Sequence, residues 1–204
     1  MKTMTRRTDP KAAMIEAATT LFRRRGYEGV GVAELLAFSG APRGSLYFHF
    51  PGGKEQIAIE AVTRAGVAVR DGIRARGAIT GSVEEYIDTA LNGWAENLVA
   101  SDYENGCIIA LVGLEAASAS PALKKAADDA FTSWETELRD MAMSKGLDAE
   151  RGARFATAFI CAVEGSIMMA RTRNATAPLM TAKDSMIAYV RTLYADMQTH
   201  ARKA

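Results

Sequence analysis

Five side chains that can donate hydrogen bonds or carry positive charge lie close together between residues 43 and 54. They are Arg43, Ser45, Tyr47, His49 and Lys54. An arginine can bond a phosphate or the O6/N7 edge of guanine, and hydroxyl and ammonium groups bond phosphate oxygens. No acidic residue occurs anywhere from residue 35 to residue 54. The chemistry that this pattern favours is binding to a phosphate backbone.

Small and apolar residues are interleaved with these donors. Gly44 and Ser45 are small enough to let a helix approach a partner closely, and the ring of Tyr47 can touch a thymine methyl as well as bond a phosphate. Leu46 and Phe50 are predicted to face a small apolar core. The other residues predicted for that core are Leu21, Phe22, Leu35, Leu36 and Phe38.

The elements that must position this stretch are short helices. Asp9–Pro10 predicts the capped start of a first helix, which should end at Gly26. A second helix is expected from Val32 to Ser39, closed by Gly40, and a third from residue 42 or 43 to Phe48. Two short helices joined by a glycine-containing turn, with an arginine in the first turn of the second, form a helix-turn-helix candidate.

Helical spacing of apolar residues continues through the rest of the chain, without the period-two alternation of strands. A fourth helix is expected from Lys54 to about Ala75. Five more are expected after the capping box Ser82–Glu85 and over about 105–117, 121–145, 151–171 and 181–200. The predicted fold is all-α with about nine helices. It comprises a helix-turn-helix head over 1–55, the fourth helix 54–75 as a connection, and a second helical domain over 76–204.

Charge is distributed unevenly along the chain. The first 55 residues carry nine basic and five acidic side chains, a net charge of +4, although the total for all 204 residues is only +1. The remainder is therefore mildly acidic. A basic head on an acidic body indicates that one end of the protein meets a polyanion and the other end does not.

The residue inventory argues against several classes of protein. The chain has two histidines and no zinc-ligand spacing, and Pro51–Lys54 lacks the strand and the Ser or Thr of a P-loop. We therefore expect no enzyme activity, no metal and no cofactor. Cys107 and Cys161 match no metal or redox spacing, which predicts two buried, reduced thiols in a cytoplasmic protein. No apolar run approaches the roughly 18–20 residues that cross a bilayer, so no membrane partner is expected.

Two stretches resemble the N-terminal domain of the TetR family of one-component bacterial transcriptional repressors. They read AATTLFRRRGYEGVGVAEL at 17–35 and SGAPRGSLYFHFPGGKE at 39–55. Three further stretches resemble the branch of LmrA-type drug- and flavonoid-responsive repressors. They read PGGKEQ at 51–56, NGCIIALVGLEAA at 105–117 and EGSIMMARTRNATAPL at 164–179. The resemblance implies a homodimer that binds a near-palindromic operator in double-stranded DNA. It also implies a small-molecule effector that releases the DNA.

The family's DNA contacts, carried over to this sequence, include the five donors named above. The full set is Gly31, Arg43, Gly44, Ser45, Tyr47, Phe48, His49 and Lys54. Two positions depart from the family pattern. Gly31 stands where Ser or Thr is usual, so only its backbone N–H can reach a phosphate. Phe48 stands where histidine is frequent, which excludes a base-edge hydrogen bond and leaves two alternatives: contact with a thymine methyl, or no base contact.

The resemblance also implies an effector pocket among the fifth to eighth helices and a dimer interface on the last two. Candidates to line a pocket for an apolar or aromatic effector are Trp94, Cys107, Leu111, Phe131, Trp134, Phe159, Glu164 and Met168. Candidates for the interface are Phe155, Val163, Ile167, Val190, Leu193 and Tyr194. Two roles stay open for Glu164: contact with a cationic or hydroxyl-bearing effector, or a salt bridge to Arg171 or Arg173.

The alternative hypothesis is an all-helical ligand-binding or scaffold protein whose head no longer binds DNA. Gly31 and Phe48 are the two features that favour it. The two hypotheses differ in whether the protein shows salt-sensitive, sequence-specific binding to DNA.

Overall fold

The computed structural model describes residues 9–116 and 120–201, and within these ranges the chain forms nine α-helices, one 3-10 turn and no β-strand. The all-α prediction is confirmed. The first four helices are α1 (Pro10–Arg25), α2 (Val32–Ser39), α3 (Leu46–His49, preceded by the 3-10 turn Arg43–Ser45) and α4 (Gly53–Ile79). The others are α5 (Val83–Ala100), α6 (Ile108–Ala116), α7 (Pro121–Ser144), α8 (Ala149–Arg173) and α9 (Ala177–Ala201).

Local signals fix both ends of α1. The Asp9 carboxylate accepts the Lys11 backbone N–H at 3.0 Å, and proline occupies the first helical position. The helix ends at Gly26, whose φ of 73° is the left-handed region that favours glycine. The predicted apolar stripe is buried: Met14, Ala17, Ala18, Leu21 and Phe22.

The connection from α2 to α3 is a tight turn. Gly40 closes α2 in the left-handed conformation, and the Ser39 hydroxyl accepts the Ala41 N–H at 3.2 Å. The next segment begins as the 3-10 turn Arg43–Ser45 and becomes α-helical at Leu46. The predicted third helix is therefore confirmed, and it ends one residue later than expected, at His49.

The chain divides into two compact units. The first comprises the chain up to Ala65 together with Ile108–Asp128, and the second comprises Gly66–Cys107 and the chain from Asp129 onwards. The division falls within α4, between Ala65 and Gly66, and α6 and the start of α7 group with α1, α2, α3 and the start of α4. The domains over 1–55 and 76–204, joined by the fourth helix, stay a prediction. Contacts within the first unit explain this grouping. The Glu115 carboxylate accepts the Glu28 N–H at 2.8 Å, and the Ser120 hydroxyl donates to Glu55.

Several helices differ in length from the prediction. The fourth helix continues to Ile79 instead of ending near Ala75, because Gly72 and Gly77 are accommodated within it. A Cβ at Gly77 would lie 2.8 Å from the Met141 side chain, so this glycine allows close packing. The sixth helix begins at Ile108 and not at residue 105, and the predicted end at residue 117 lies outside the described ranges.

Stacked and edge-to-face rings form the core of the second unit. Phe155 and Phe159 stack with their centroids 5.5 Å apart, and Tyr86 meets Phe159 edge to face at 5.7 Å. Among the described elements, the most extensive packing joins α8 to α9 and α5 to α9. Burial raises the pKa of Tyr86 to about 12, so its hydroxyl stays neutral at physiological pH.

This core takes up most of the residues predicted for a dimer interface. Five of the six are buried within the chain itself: Phe155, Val163, Ile167, Val190 and Leu193. The sixth, Tyr194, is half-buried and donates its hydroxyl to the Lys145 carbonyl at 2.8 Å. The physical reason is that α8 and α5 both pack against α9, so these side chains already have partners.

The eighth helix is long and contains an 18-residue window that is apolar on average, with a mean hydropathy of 1.3. By length and composition alone, it is the one helix within the described ranges that is long and apolar enough to cross a membrane. Charged residues interrupt it, so it contains no uninterrupted apolar run of that length. About two fifths of its most apolar window, 39%, is buried by the rest of the protein. Its buried side supplies Phe155 and Phe159 to the core. Cys161, which was predicted to be buried, is exposed on this helix, so only Cys107 is a buried thiol.

Candidate nucleic-acid interface

The side chains of the stretch Leu46–Phe50 divide between the core and the surface. Leu46 and Phe50 are fully buried, as predicted, and so are Phe22 and Leu35 of the same unit. Tyr47 and Phe48 point outward, with 68% and 81% of their surface exposed. Such large apolar rings are costly to leave in water, so their exposure indicates a surface that meets a partner.

Arg43 begins the 3-10 turn that leads into α3 and is exposed. Within the described ranges, no hydrogen bond or ion pair involves its guanidinium. This contrasts with Arg25 in the same unit, which pairs with Glu34. The five N–H donors of Arg43 are therefore available to a phosphate or a base edge.

Ser45 and His49 are less available than Arg43. The Ser45 hydroxyl donates to the Pro42 carbonyl at 2.7 Å, so it must rotate before it can donate to a phosphate. His49 is half-buried and meets Phe48 edge to face with ring centroids 5.0 Å apart. Phe48 and His49 therefore support each other at the end of α3.

Glycines on this surface differ in what the fold requires of them. Gly40 and Gly53 have φ values of 65° and 62°, which other residues rarely adopt. Gly31 and Gly44 have no positive φ, and a Cβ built at either position would meet nothing within 4 Å. The fold therefore does not require glycine at residues 31 and 44. Gly31 caps α2 through its backbone alone, as predicted.

Lys54, in the first turn of α4, lies above an aromatic ring. Its ammonium is 3.9 Å from the centroid of Tyr27. Burial and the neighbouring Glu55 and Glu28 carboxylates raise the pKa of the Tyr27 hydroxyl above its usual range. The sequence did not indicate this ring, because Tyr27 and Lys54 are distant along the chain.

Phe38 corrects one prediction about the head. It was expected in the core, but 55% of its surface is exposed. Leu35 and Leu36 form the buried stripe of α2, and Phe38 lies about a third of a turn away from the middle of that stripe. Helical periodicity, applied to this residue, would have identified it as a further outward-facing ring.

The residues predicted to line an effector pocket do not share one environment. Cys107, Trp134 and Phe159 are buried, and the indole N–H of Trp134 donates to the Gly66 carbonyl at 2.8 Å. Half-buried members are Trp94, Leu111, Phe131 and Glu164. Met168 is 65% exposed and so lies on the surface of α8. Leu111 belongs to the first unit and the other seven belong to the second.

Glu164 has a different partner from those predicted. Its carboxylate accepts a hydrogen bond from the Cys107 thiol, while Arg171 donates to the Tyr103 and Glu104 carbonyls. Burial raises the pKa of Glu164 to about 7, and the thiol hydrogen bond opposes this shift. The acid is therefore poised to change charge near neutral pH.

The N-terminal and C-terminal parts of the chain each match a known protein family. Residues 14–61 match the family of bacterial regulatory proteins named tetR, and residues 84–185 match the C-terminal domain of LmrA/YxaF-like transcriptional regulators. The first match includes the whole α2–α3 region and Lys54.

Individual relatives agree with these matches. The HTH-type transcriptional regulator LmrA of Bacillus subtilis is 31% identical over 172 residues, which cover 84% of this chain and 92% of that protein. The uncharacterized HTH-type regulator YxaF of the same organism is 31% identical over 188 residues, covering 92% and 98%. A crystal structure of a TetR regulator from Legionella pneumophila has the same fold, with a TM-score of 0.79 at 17% identity, covering 88% and 96%. This chain belongs to the TetR family of transcriptional regulators, in the group with an LmrA/YxaF-like C-terminal domain.

Proposed function

We propose that this protein is a dimeric repressor that binds a near-palindromic operator through α3 and is released by a small apolar or aromatic effector. Ligand-responsive repression is typical of its family. The observation that supports DNA binding most directly is the exposed set Arg43, Tyr47 and Phe48 on a helix whose other side is buried. Such a protein acts on chromosomal DNA, so we infer that it is cytoplasmic.

In this proposal the dimer forms through the exposed sides of α8 and α9. A largely apolar groove on these helices is lined by Ala153, Arg154, Thr157, Ala158 and Tyr189. The more exposed Met168 and Met169 lie further along α8. A second copy would cover this surface and place two copies of α3 in successive major grooves.

The proposed effector site lies in the second unit, among the aromatic side chains of α5, α7 and α8. The edge-to-face pair Phe131 and Trp134, with centroids 5.2 Å apart, offers an aromatic wall. The half-buried Glu164 supplies a polar group that could bond a hydroxyl or cationic group of the effector. Methionines nearby can repack around effectors of different shape.

The test of the proposed function is selection of an operator by the purified full-length protein from a random library of double-stranded DNA. We expect a near-palindromic consensus and a dimer mass on native mass spectrometry. Binding to the selected duplex should weaken by about a thousandfold or more between 50 and 200 mM salt, if the dimer neutralises roughly six to ten phosphates. No enrichment, or binding that does not depend on salt, would instead support the ligand-binding or scaffold hypothesis.

Gly44 provides an independent test of where DNA lies. We expect Gly44→Ala to leave the free energy of unfolding within about 0.5 kcal/mol of wild type, since a Cβ there meets nothing and the φ is not strained. Binding to the selected duplex should weaken by roughly tenfold, because the methyl group lies between α3 and the bases. Fluorescence anisotropy and thermal unfolding measure the two quantities.

Gly72→Ala is the matched control for Gly44→Ala. Gly72 is also exposed with nothing within 4 Å of a built Cβ, but it lies in the middle of α4. Gly72→Ala should stabilise the helix by about 0.5–1 kcal/mol and leave DNA affinity unchanged. Equal DNA affinities for wild type and Gly44→Ala would mean that DNA does not approach this part of the 3-10 turn.

A further inference from the structure

We propose that Tyr27 is a positioning residue for DNA binding, whose ring holds the Lys54 ammonium, and that Glu115 on α6 fixes the turn that carries this ring. The inference rests on the proposed function, because it assigns to Lys54 a phosphate of the bound DNA. All of the residues involved belong to the first compact unit.

The turn from Gly26 to Glu28 is held on both sides of Tyr27. Gly26 donates its N–H to the Phe22 carbonyl at 3.0 Å and adopts a φ of 73°. A Cβ at Gly26 would overlap the Glu115 carboxylate, so glycine allows that side chain to lie directly against the turn. The same carboxylate accepts the Glu28 N–H at 2.8 Å. Tyr27 therefore projects from a backbone that Glu115 clamps.

The ring of Tyr27 is supported from the core. Its centroid lies 5.7 Å from that of Phe22, which is fully buried. The Lys54 ammonium lies over the ring, 3.9 Å from its centroid, within the range of a cation–π interaction. A lysine side chain has four flexible carbons, and confining it before binding removes part of the entropy that phosphate contact would otherwise cost.

The backbone that carries Lys54 is also tied to α7. The next residue, Glu55, accepts a hydrogen bond from the hydroxyl of Ser120, which precedes α7. Glu115, near the end of α6, thus holds the turn that carries Tyr27. Ser120, which precedes α7, holds the first turn of α4, which carries Lys54. The ring of Tyr27 sets the position of the ammonium, and Ser120 sets the start of α4.

A purely structural role for Tyr27 makes a different prediction from a positioning role. If the ring only packs on Phe22, its loss lowers stability without changing how many phosphates the protein neutralises. If the ring presents Lys54 to DNA, its loss lowers the slope of log affinity against log salt. The slope falls by about one unit for each lost phosphate contact, so a dimer should lose roughly two units.

The experiment compares Tyr27→Leu, Tyr27→Phe and Lys54→Gln on the duplex selected by the wild-type protein. We expect Tyr27→Leu and Lys54→Gln each to weaken binding by about three- to tenfold per subunit and to lower the salt slope. Tyr27→Phe retains the ring face and should match wild type. The double variant Tyr27→Leu/Lys54→Gln should bind no more weakly than Lys54→Gln alone, because both changes remove the same contact. Lys124→Gln, an exposed lysine of α7, is the control for loss of charge.

A second pair of variants tests the clamp without touching the ring. Glu115→Ala removes the acceptor for the Glu28 N–H and should reproduce the shallower slope of Tyr27→Leu, whereas Glu115→Gln retains an acceptor oxygen and should restore most of the wild-type slope. NMR of the unbound wild-type protein should show upfield-shifted Hε protons of Lys54, as expected for protons above a ring. This measurement does not depend on any variant folding.

The outcomes separate this inference from the proposed function. If wild type selects and binds a duplex but Tyr27→Leu retains its slope, or if the effects of Tyr27→Leu and Lys54→Gln add, Tyr27 is not a positioning residue. Lys54 protons without an upfield shift also overturn the inference. If wild type selects no duplex, the proposed function fails, and the role of Tyr27 in DNA binding fails with it.

Discussion

Arg43→Ala is expected to reduce binding to the selected operator by roughly 100-fold or more while the protein remains folded and dimeric. Arginine is the side chain that most often reads guanine, and each lost contact costs about 1–3 kcal/mol. A dimer loses two such contacts, and about 1.4 kcal/mol corresponds to a tenfold change in affinity. The structure favours a large effect because Arg43 is exposed and, among the described residues, has no hydrogen bond or ion pair to exchange.

The form of the loss distinguishes two roles for Arg43. If it reads a base, Arg43→Ala should relax the selected consensus at one position in each half-site. If it binds only phosphate, affinity should fall for all sequences alike and the consensus should stay the same. Repeating the selection with Arg43→Ala measures this difference.

Arg64→Ala is the matched control for Arg43→Ala. Arg64 is an exposed arginine of α4, whose guanidinium lies 4.0 Å from the Glu60 carboxylate. Its replacement by alanine removes one positive charge, as Arg43→Ala does. This control should change affinity less than threefold. Wild-type affinity and consensus for Arg43→Ala would exclude α3 as the recognition helix in the form proposed.

Glu164→Gln is expected to stabilise the protein by about 2–3 kcal/mol at pH 8 and by less than about 1 kcal/mol at pH 4.5. The pKa of Glu164 is raised by burial from 4.5 to about 7 in the folded protein. Between these values the folded state binds a proton that the unfolded state has released, so the free energy of unfolding falls as pH rises. Above pH 7 the full cost of a buried carboxylate is present, and glutamine removes it.

Chemical denaturation of wild type and Glu164→Gln at the two pH values measures this effect. Glutamine keeps the shape of the side chain and an acceptor for the Cys107 thiol. Glu150→Gln, on the exposed side of α8, is the control and should change stability by no more than about 0.5 kcal/mol at either pH. A Glu164→Gln effect that is the same at both pH values would show that the pKa of Glu164 is not raised in the folded protein.

The sequence predicted the head of the protein in detail because its signals are local. The cap at Asp9, the glycine stops at Gly26 and Gly40, and the buried positions of Leu46 and Phe50 follow from backbone geometry and helical period. The outward positions of Arg43 and its neighbours follow from the same period. Their contacts with DNA stay predictions.

The sequence was less informative where several helices, or a second subunit, could cover the same apolar side chain. An apolar stripe shows which side of a helix is buried, but not which helix covers it. Val163 and Val190 were predicted to meet a second subunit, and the structure buries them within the chain. Phe38 was expected in the core because it is apolar, although its place on α2 turns it outward.

The sequence was sufficient to predict the all-helical fold and the family, and it yields the prediction that the stretch from Gly40 to Lys54 binds a polyanion. These features depend on residues near one another in the chain. Three contacts that bear on function or stability could not be predicted in this way. Tyr27 beneath Lys54, Glu115 against Gly26, and the Cys107 thiol on Glu164 each join distant segments. Such contacts depend on how the helices pack, and no local pattern of residues encodes them.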